Sequence, residues 1–594
     1  MRAATAAAAL AAGAVLLALL GPGSGAADPA PAQAARTAQG QPNVVVIMSD
    51  DQTVDEMRFM PATERLIGGA GATFTDSVVN WPLCCPARAT FLTGQYAHNH
   101  RVRGNAPPQG GFEQLNIDRT LPVWLQRAGY WTGYVGKFLN GYESSDVGVP
   151  PGWSDWHGSK LTYWYYGYKL LEAGRTVTYG SADEDPDDPR DPGSYSTDVF
   201  TDKAVDAIAA RAPSEQPFFL SVNYLAPHEG APNGGRCGGA AKPAPRHAGL
   251  LDEEPLPLPP SFNEEDVADK PRQIRKLEPM TPEQIEHTTT VYRCRAESLL
   301  AIDEGVERIV EQLRDTGELR NTIVVYTSDN GFFHGEHRLS GGKNRVYEEA
   351  VRVPLLMRGP GIPRGTEVGD QVVNADLAPT IVDAAGAKAG LPPDGVSLLP
   401  FARHPDRLHG REVLIEQDTP ELDNGNPRGT EYQAVRTNRY KFVRYWDDQV
   451  ELYDLRHDPY ELDNLRRDPD YGAVKRALSE RLERIGDCAG KSCRTKPAMK
   501  LKLSDPVRRD GIRCHKPGDL TARVKRPGED PSDSLVRASF RVDGSPSGTV
   551  RSAPFARKLN SRLLRERRKP LIEVDAELLD GRILTLHERV RACR

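Results

Sequence analysis

Two apolar segments that lie far apart along the chain end in the same way. Residues 42–51 read PNVVVIMSDD and residues 321–331 read NTIVVYTSDNG, so each is a β-branched run that stops at Ser-Asp. Such continuous runs are typical of strands buried on both faces of a mainly parallel sheet. Between them, helical patterns such as AVDAIAARA alternate with further apolar runs such as PFFLSVNYLAPH. This alternation predicts an α/β domain over residues 42–400, with helices on both faces of its sheet.

The pattern changes after residue 400. Short alternating segments such as EYQAVRTNRYKFVRY are followed by Val474, Leu478, Leu482 and Ile485 at helical spacing. We therefore predict a small antiparallel sheet with one packing helix over residues 401–487. A Lys-rich linker over 488–505 leads to residues 506–594, where short strands alternate with turn signals at VDGS and LDGR. That last segment is typical of an appended β-sandwich-like domain.

The first 41 residues differ in composition from the three segments described above. A single Arg, an apolar run over residues 7–20 and then small residues with Pro and Gly predict a signal peptide over residues 1–27, followed by a linker over 28–41. A permanent membrane anchor is the alternative, but the run is shorter than the roughly 20 residues that a bilayer requires. We expect a secreted, extracellular protein without stable membrane insertion.

Composition agrees with a soluble protein of more than one domain. The chain has 594 residues, of which 39% are hydrophobic and 27% charged, and a net charge of -6. No nucleic-acid partner is expected. Residues 506–594 carry 21 Lys and Arg against 12 Asp and Glu. This basic segment could hold a polyanionic polysaccharide near a site, or its charges could belong to ordinary solvated faces.

Export also bears on the eight cysteines, because thiols outside the cytosol tend to pair. We predict disulfide bonds between Cys488 and Cys493 and between Cys514 and Cys593, and Cys237 with Cys294 could form a third. The alternative for CAGKSC (488–493) is half of a zinc site. No second Cys/His pair follows at metal spacing, which disfavours that alternative.

The two remaining cysteines, Cys84 and Cys85, are neighbours in NWPLCCPARATFLTG. A bond between them would be strained, because adjacent α-carbons are about 3.8 Å apart and disulfides usually need roughly 4.4–6.8 Å. Pro86 suits the first turn of a helix, whose amino end binds anions, and Arg88 adds a positive charge one turn further on. The pattern favours a site for a negatively charged group, against two buried cysteines ahead of an ordinary capped helix.

Oxygen-bearing side chains follow both of the predicted parallel strands. Asp50 and Asp51 end the first, and Asp329 and Asn330 end the second. Ligands of open α/β sheets bind at the carboxyl ends of strands, and these four side chains suit a hard cation such as Ca²⁺ or Mg²⁺ better than zinc. The alternative for each pair is a helix cap or a solvated turn.

At this point the motifs match a known family. CCPARATFLTG resembles the sulfatase signature Cys-x-Pro-x-Arg followed by Leu-Thr-Gly, in which the first cysteine, here Cys84, is oxidised to Cα-formylglycine. The blocks SDDQ, GKFLNGY, APHEGAP, YTSDNGFFHGEHRL, DLAPTIVDAAG and ELYDLRHDPYELDNL extend the resemblance over residues 42–465. It is most similar to N-acetylglucosamine-6-sulfatases and extracellular heparan-type sulfatases, and it implies an alkaline-phosphatase-like fold.

The resemblance also implies roles for individual residues. Ca²⁺ would be held by Asp50, Asp51, Asp329, Asn330 and the modified Cys84, with Arg88 supporting the nucleophile. Lys137 and Lys343 would grip sulfate oxygens, and His228 would protonate the leaving group together with Lys343. Maturation would require a formylglycine-generating enzyme. The alternatives are surface lysines and a loop-capping histidine.

Two positions depart from the family pattern. Leu139 stands where many sulfatases have His, so the base that restores the aldehyde is not identified among His98, His100, His334, His337 and Asn140. Ala87 stands where Ser is common, and we expect modification of Cys84 to survive this change.

These motifs predict a secreted, calcium-dependent sulfatase that acts on 6-sulfated glucosamine units of a sulfated glycan. Three alternatives stay open: an arylsulfatase of broad specificity, a phosphomonoesterase or phosphodiesterase on the same fold, and a non-catalytic polysaccharide-binding protein. Unmodified Cys84 or two bound zinc ions would favour the phosphoesterase.

Overall fold

The computed structural model describes residues 40–594 apart from residues 162, 213, 418–431, 510–511, 527–529, 567–568 and 594. The predicted signal peptide lies outside the described residues, as does nearly all of the linker that follows it. Within the described part, no helix is both long enough and apolar enough to cross a membrane.

Residues 42–400 are organised around a ten-stranded mixed sheet. Its strands, and two short ones beside it, are β1 (Asn43–Ser49), β2 (Ala72–Phe74), β3 (Ser77–Val78), β4 (Trp131–Gly136), β5 (Asp155–Ser159), β6 (Tyr168–Glu172), β7 (Arg175–Tyr179), β8 (Phe218–Asn223), β9 (Thr322–Ser328), β10 (Leu355–Arg358), β11 (Thr366–Val368) and β12 (Val372–Val373). The order is β11-β2-β10-β9-β1-β8-β4-β5-β6-β7, and β9, β1, β8, β4 and β5 run parallel. β3 and β12 form a separate pair.

Helices cover both faces of this sheet, as the alternating pattern predicts. They are α1 (Pro61–Thr63), α2 (Cys84–Thr93), α3 (Ala97–His100), α4 (Leu121–Arg127), α5 (Ser196–Arg211), α6 (Arg272–Arg275), α7 (Pro282–Asp315), α8 (Glu348–Val351), α9 (Leu377–Ala384) and α10 (Leu399–Arg403). One core packs α2, α4 and α9 against one face, and another packs α5 and α7 against the other.

The long helix α7 begins at a capping box. The Thr281 side chain accepts from the Gln284 backbone N–H, the Gln284 side chain accepts from the Thr281 N–H, and Pro282 stands at the first helical position. These contacts satisfy amide groups that have no partner inside the helix. α7 therefore has a fixed start, from which its apolar face runs along the sheet.

The register of the two central strands positions the site. β1 and β9 pair in parallel from Asn43 with Thr322 to Ser49 with Ser328, and every residue of both strands is buried. Both strands therefore end at the same edge of the sheet.

The two smaller units follow the expected patterns. Strands β13 (Val413–Gln417), β14 (Tyr432–Arg436), β15 (Tyr440–Tyr445) and β16 (Val450–Asp454) form an antiparallel sheet, against which α11 (Gly472–Ile485) packs. The last part contains β17 (Lys500–Leu503), β18 (Val507–Arg509), β19 (Ile512–Cys514), β20 (Thr521–Lys525), β21 (Leu535–Val542), β22 (Ser545–Val550), β23 (Ala556–Lys558), α12 (Ser561–Glu566), β24 (Leu571–Leu578) and β25 (Ile583–Arg589). Its three-stranded and four-stranded antiparallel sheets share one core. The exact domain limits remain predictions.

Three disulfide bonds are present among the described residues. They join Cys488 to Cys493, Cys514 to Cys593, and Cys237 to Cys294. Cys84 and Cys85 are both unpaired and buried.

Candidate active site

The four oxygen-bearing residues after β1 and β9 lie together. The Asp51 backbone N–H donates to Asp329 Oδ1 over 3.1 Å, and Asn330 Nδ2 donates to Asp51 Oδ1 over 2.7 Å. Asp50 and Asn330 are completely buried, and Asp51 and Asp329 nearly so. Asp51 has a φ of 69°, a left-handed conformation that is uncommon for residues other than glycine and is often found at functional sites.

Cys84 is the first residue of α2 and points at this cluster. Its Sγ lies 3.7 Å from Asp50 Oδ1, 3.2 Å from Lys343 Nζ and 3.6 Å from Lys137 Nζ. Each lysine also pairs with a carboxylate, Lys137 with Asp50 and Lys343 with Asp51. Cys84 is completely buried, and burial together with the nearby Asp50 carboxylate raises the pKa of its thiol. As a plain thiol it would be a poor nucleophile, since the thiolate is the reactive form.

Arg88, one turn into α2, ties the cluster together. Its Nε donates to Asp329 Oδ2 over 2.8 Å and its Nη2 to Asp50 Oδ2 over 3.0 Å. Nη1 donates to the Lys137 carbonyl over 2.9 Å. The planar guanidinium thus fixes both carboxylates and the strand end that carries Lys137.

His228 closes the site opposite these groups. Its Nε2 lies 3.6 Å from Asp51 Oδ2, and its Nδ1 lies 2.6 Å from the Glu229 carbonyl oxygen. A carbonyl oxygen only accepts, so Nδ1 carries a proton and donates. Burial and the charges of Lys137 and Lys343 lower the pKa of His228 well below its ordinary value.

The three carboxylates differ in their electrostatic surroundings. Burial alone would raise the pKa of Asp50 and Asp51, but Lys137 beside Asp50 and Lys343 beside Asp51 outweigh it, so that both pKa values are lowered. The pKa of Asp329 is raised by burial and by the Asp50 charge, in spite of Arg88. A further positive charge at this edge would favour ionisation of all three.

The donor set fits a hard cation. Three carboxylates and one amide converge, and Asn330 Oδ1 is buried without a hydrogen-bond partner among the described residues. Ligand atoms of Asp50, Asp51, Cys84 and His228 lie within 4.8 Å of one another. Carboxylate and amide oxygens are the ligands that Ca²⁺ takes, so the residues present suit this ion.

The four histidine candidates for the base that restores the aldehyde pair with residues outside the cluster, whereas Asn140 lines the same cleft as the cluster. His98 bonds to Glu416, His100 to Thr90, His334 lies beside Glu56, and His337 bonds to Glu264. The Asn140 backbone N–H donates to Cys85 Sγ, and Asn140 Nδ2 donates to the Tyr163 hydroxyl. Leu139 is completely buried in the apolar core. None of these residues has a contact with Cys84 among those described.

Tyr163 belongs to the site although the sequence did not single it out. Its ring centroid lies 4.9 Å from that of His228 and 4.8 Å from Lys137 Nζ. The ring therefore orients one functional side chain and stabilises the charge of another. In the sequence, Tyr163 begins the aromatic run YWYYGY (163–168), whose spacing does not indicate a catalytic residue.

Arg295 supports the site from α7 and was also missed. Its Nη2 donates to the Asp51 carbonyl over 2.6 Å and its Nη1 to the Pro227 carbonyl over 3.0 Å. Arg295 thereby joins the loops that carry Asp51 and His228. It is 1% exposed. An arginine on the buried face of an amphipathic helix was the feature of the sequence that could have indicated its role.

The cluster borders a cleft of about 1530 Å³. Asp51, Tyr163, His228 and Lys343 line this cleft. Ligand pockets for small molecules usually measure roughly 300–1,000 Å³, so this cleft has room for more than one sugar ring.

Comparison with known proteins agrees with this geometry. The family model described as Sulfatase matches residues 42–387, which are more than half of the chain. A second model, described as N-sulphoglucosamine sulphohydrolase, C-terminal, matches residues 335–487.

Curated relatives cover different shares of the chain. The N-acetylglucosamine-6-sulfatase of Capra hircus is 33% identical over 500 residues, 77% of this chain and 85% of that protein. The arylsulfatase of Chlamydomonas reinhardtii is 31% identical over 608 residues, 91% of this chain and 90% of that protein. The extracellular sulfatase SULF-1 homolog of Drosophila melanogaster is 36% identical over 373 residues, 61% of this chain. The chain spans only 31% of that relative's length, and 49% of its Caenorhabditis elegans counterpart.

A solved structure of another protein has the same fold and holds a sulfated sugar. It holds its substrate, D-Glucosamine-2-N, 6-O-disulfate, and matches with a TM-score of 0.63 at 25% identity, covering 76% of this chain and 98% of that one. Family model, relatives and fold agree, and the chain belongs to the sulfatase family.

Proposed function

We propose that this protein is a secreted sulfatase that hydrolyses sulfate esters of a sulfated glycan, with the 6-sulfate of glucosamine units as its substrate. In the reaction the ester gains one water, its S–O bond breaks, and an alcohol and hydrogen sulfate leave. The observation that carries the proposal is the position of Cys84 at the start of α2, between the ammonium groups of Lys137 and Lys343.

Each residue has a role that its position supports. Lys137 and Lys343 bind the equatorial oxygens of the sulfate, whose negative charge matches theirs. Arg88 holds Asp50 and Asp329 in place and keeps the first turn of α2 fixed. Lys343, which lines the cleft, provides the proton that the departing alkoxide requires. His228 lines the cleft as well, but in its neutral form its one proton is on Nδ1 and faces the Glu229 carbonyl, so it shares this role only when Nε2 is also protonated.

Two groups complete the chemistry. Cα-formylglycine made from Cys84 would supply an oxygen nucleophile and a second hydroxyl that allows sulfate to leave. Ca²⁺ would be held by Asp50, Asp51, Asp329, Asn330 and residue 84, and it would supply positive charge to the sulfate. Burial raises the pKa of the Cys84 thiol, so an unmodified Cys84 would stay neutral and would be a poor nucleophile for this reaction.

The names of similar proteins support a glycan substrate. The Capra hircus relative is an N-acetylglucosamine-6-sulfatase and the solved structure holds a 6-O-sulfated glucosamine. The Chlamydomonas reinhardtii relative, an arylsulfatase, covers more of the chain and favours an aryl sulfate as the second candidate.

One preparation tests the function. The full chain is made with and without a formylglycine-generating enzyme, and sulfate release from glucosamine 6-sulfate, 4-nitrophenyl sulfate and 4-nitrophenyl phosphate is compared. We expect release from both sulfate esters only after co-expression, with the peptide containing Cys84 carrying the aldehyde by mass spectrometry. Turnover of the phosphate alone, or unmodified Cys84 in an active preparation, would contradict the proposal.

A further inference from the structure

The outer part of the cleft is formed by elements that take no part in the chemistry. One is the turn between β15 and β16, and the other is the short helix α6 with the residue that follows it. Trp446 from the turn, and Arg272 and Lys276 from the helix segment, all line the cleft.

The turn holds Trp446 out toward solvent. The Tyr445 N–H donates to the Gln449 carbonyl over 2.9 Å, and the Asp448 N–H donates to the Tyr445 carbonyl over 3.1 Å. These bonds fix the backbone on both sides of Trp446, yet its side chain is 56% exposed. The exposed Trp446 lines the cleft, so its indole is open to a ligand there.

The same turn is attached to α6. The Arg272 backbone N–H donates to Gln449 Oε1 over 2.8 Å, which places the first residue of α6 beside the turn. Gln449 Nε2 in turn donates to Asp447 Oδ2 over 2.8 Å, and this bond occupies part of the one carboxylate on the turn that lines the cleft. Trp446 and Arg272 are therefore parts of one rim.

The rim is positively charged. Arg272 and Lys276 are both exposed, and neither side chain makes an ion pair within 4.0 Å in the described part of the chain. Asp447, the acid of the turn that lines the cleft, keeps its charge because Gln449 is a neutral amide, so the two cations leave a net charge of +1 on this rim. Two cations and an exposed aromatic side chain that line one cleft suit a sugar ring that carries a sulfate or carboxylate: the ring's C–H face packs on the indole and its anion meets the cations.

We propose that Trp446, Arg272 and Lys276 form a subsite for the sugar next to the one whose sulfate ester is cleaved. The subsite takes an acidic pyranose unit, so an oligosaccharide that carries one beside the cleaved sugar is bound more tightly than a single sugar. This inference deepens the proposed function and rests on it for the position of the cleaved ester. Binding by the rim itself does not depend on turnover.

Binding is measured first, on the full chain carrying Cys84→Ala, so that no substrate is consumed. The probes are a heparan-type tetrasaccharide and glucosamine 6-sulfate, titrated by calorimetry. We expect Trp446→Ala, and separately Arg272→Gln with Lys276→Gln, to weaken tetrasaccharide binding about tenfold, as the loss of an aromatic or arginine anchor commonly does. Binding of the monosaccharide should change less than twofold.

Matched controls are residues that do not line the cleft. Tyr460→Ala removes another exposed aromatic, and Arg275→Gln removes a cation from the same helix segment. Neither should change the affinity for the tetrasaccharide. Equal loss from the control and rim variants, or unchanged tetrasaccharide binding in the rim variants, would overturn the subsite.

Kinetics on the chain with intact Cys84 separate the two proposals. Two substrates are compared: a disaccharide of glucosamine 6-sulfate and a uronic acid, and 4-nitrophenyl sulfate. In the rim variants kcat/KM for the disaccharide should fall about tenfold relative to kcat/KM for 4-nitrophenyl sulfate. The change should be in KM, because the contact is remote from the ester. If no sulfate is released from any substrate while the rim variants still weaken binding, the proposed function fails and the subsite stands. Tetrasaccharide binding that is unaffected by raising NaCl from about 50 to 500 mM would contradict the role of the two cations.

Discussion

Two adjacent residues of the same type have different surroundings. Cys84 Sγ faces two ammonium groups and a carboxylate. Cys85 Sγ instead accepts from the Asn140 N–H over 3.1 Å, and the Cys85 N–H donates to Asn105 Oδ1 over 3.0 Å. The motif identified Cys84 by its distance from Pro86 and Arg88. It could not identify the contacts of Cys85, because Asn105 and Asn140 are 20 and 55 residues away along the chain.

The first prediction uses this difference. Cys84→Ala should abolish sulfate release while the free energy of unfolding changes little, because the residue is proposed to act chemically. Cys85→Ala should keep substantial activity and cost roughly 1–2 kcal/mol, since it removes one buried sulfur and leaves a small cavity. Sulfate release and urea unfolding of both variants are the measurements. Equal loss of activity from the two changes would contradict the assignment.

The second prediction concerns Arg88, which is buried with its two carboxylate partners. Arg88→Ala leaves Asp50 and Asp329 without their guanidinium, and removal of one partner from a buried ion pair typically costs about 3–5 kcal/mol. We expect a loss of that size in the free energy of unfolding, together with loss of activity.

The control for Arg88 is an exposed pair. Arg65 contacts Glu307 over 2.8 Å at the surface, and Arg65→Ala should cost no more than about 1 kcal/mol. A similar cost for both variants, measured by urea unfolding, would show that burial does not determine the contribution of Arg88.

At the scale of elements, the strands and helices were predictable where a periodic pattern is long. β1, β9, α7 and α11 follow their apolar patterns. The order of strands was not predictable, because β1 lies between β8 and β9, which follow it by more than 160 residues. The sequence predicted only that β1 and β9 are parallel strands of one sheet. That prediction was sufficient to place Asp50, Asp51, Asp329 and Asn330 at the same edge of the sheet.

Contacts between elements also decided which histidines belong to the site. His98 on α3 donates from Nε2 to the Cys488 carbonyl over 2.7 Å, and its Nδ1 lies 2.8 Å from Glu416 Oε2 on β13. Both ring nitrogens face acceptors, so the charged form is favoured. His98 thus connects α3 to the smaller sheet and lies apart from the catalytic cluster.

The third prediction follows from this contact. Burial alone would lower the pKa of His98, but Glu416 and the Cys488 carbonyl outweigh it and raise the pKa to about 9 from 6.5. The stabilisation is complete below pH 6.5 and is lost as pH rises toward 9, by at most about 1.4 kcal/mol per pH unit. The difference in free energy of unfolding between the wild type and His98→Gln should therefore shrink between pH 6.5 and 9.5.

A second histidine provides the comparison for His98. The His457 side chain is 67% exposed beside Asp454, and His457→Gln should change the free energy of unfolding by a small amount at both pH values. A pH-independent difference for His98→Gln would refute the charged contact with Glu416.

At the scale of the whole molecule, the last domain is attached through a buried network of charges. Arg582 Nη1 contacts Glu412 Oε2 over 3.2 Å, Nη2 contacts Asp533 Oδ1 over 2.6 Å, and Nε contacts Asp580 Oδ2 over 2.7 Å. Glu412 precedes β13, so the network joins the last domain to the smaller sheet. The basic composition of residues 506–594 suggested a polyanion site, but several of these cations pair internally, as Arg541 does with Asp575.

The fourth prediction tests this attachment. Arg582→Met should lower the free energy of unfolding by about 3–5 kcal/mol, because Asp580 would remain buried without its cation and Glu412 would keep only Arg481. Arg562→Met, at an exposed pair with Glu566, serves as the control and should change it by less than about 1 kcal/mol. Differential scanning calorimetry would report both. An unchanged Tm for Arg582→Met would mean that the network does not hold the domain.

The complete burial of Cys84 has a consequence for the order of events in the life of the chain. All ten residues of α2 are buried, so an enzyme that modifies Cys84 cannot reach it once this helix has packed. The proposed oxidation must therefore precede folding of the main domain. A molecule that folds first keeps its thiol. The ratio of active to inactive molecules in any preparation is therefore set by the rate of oxidation of Cys84 relative to the rate of folding.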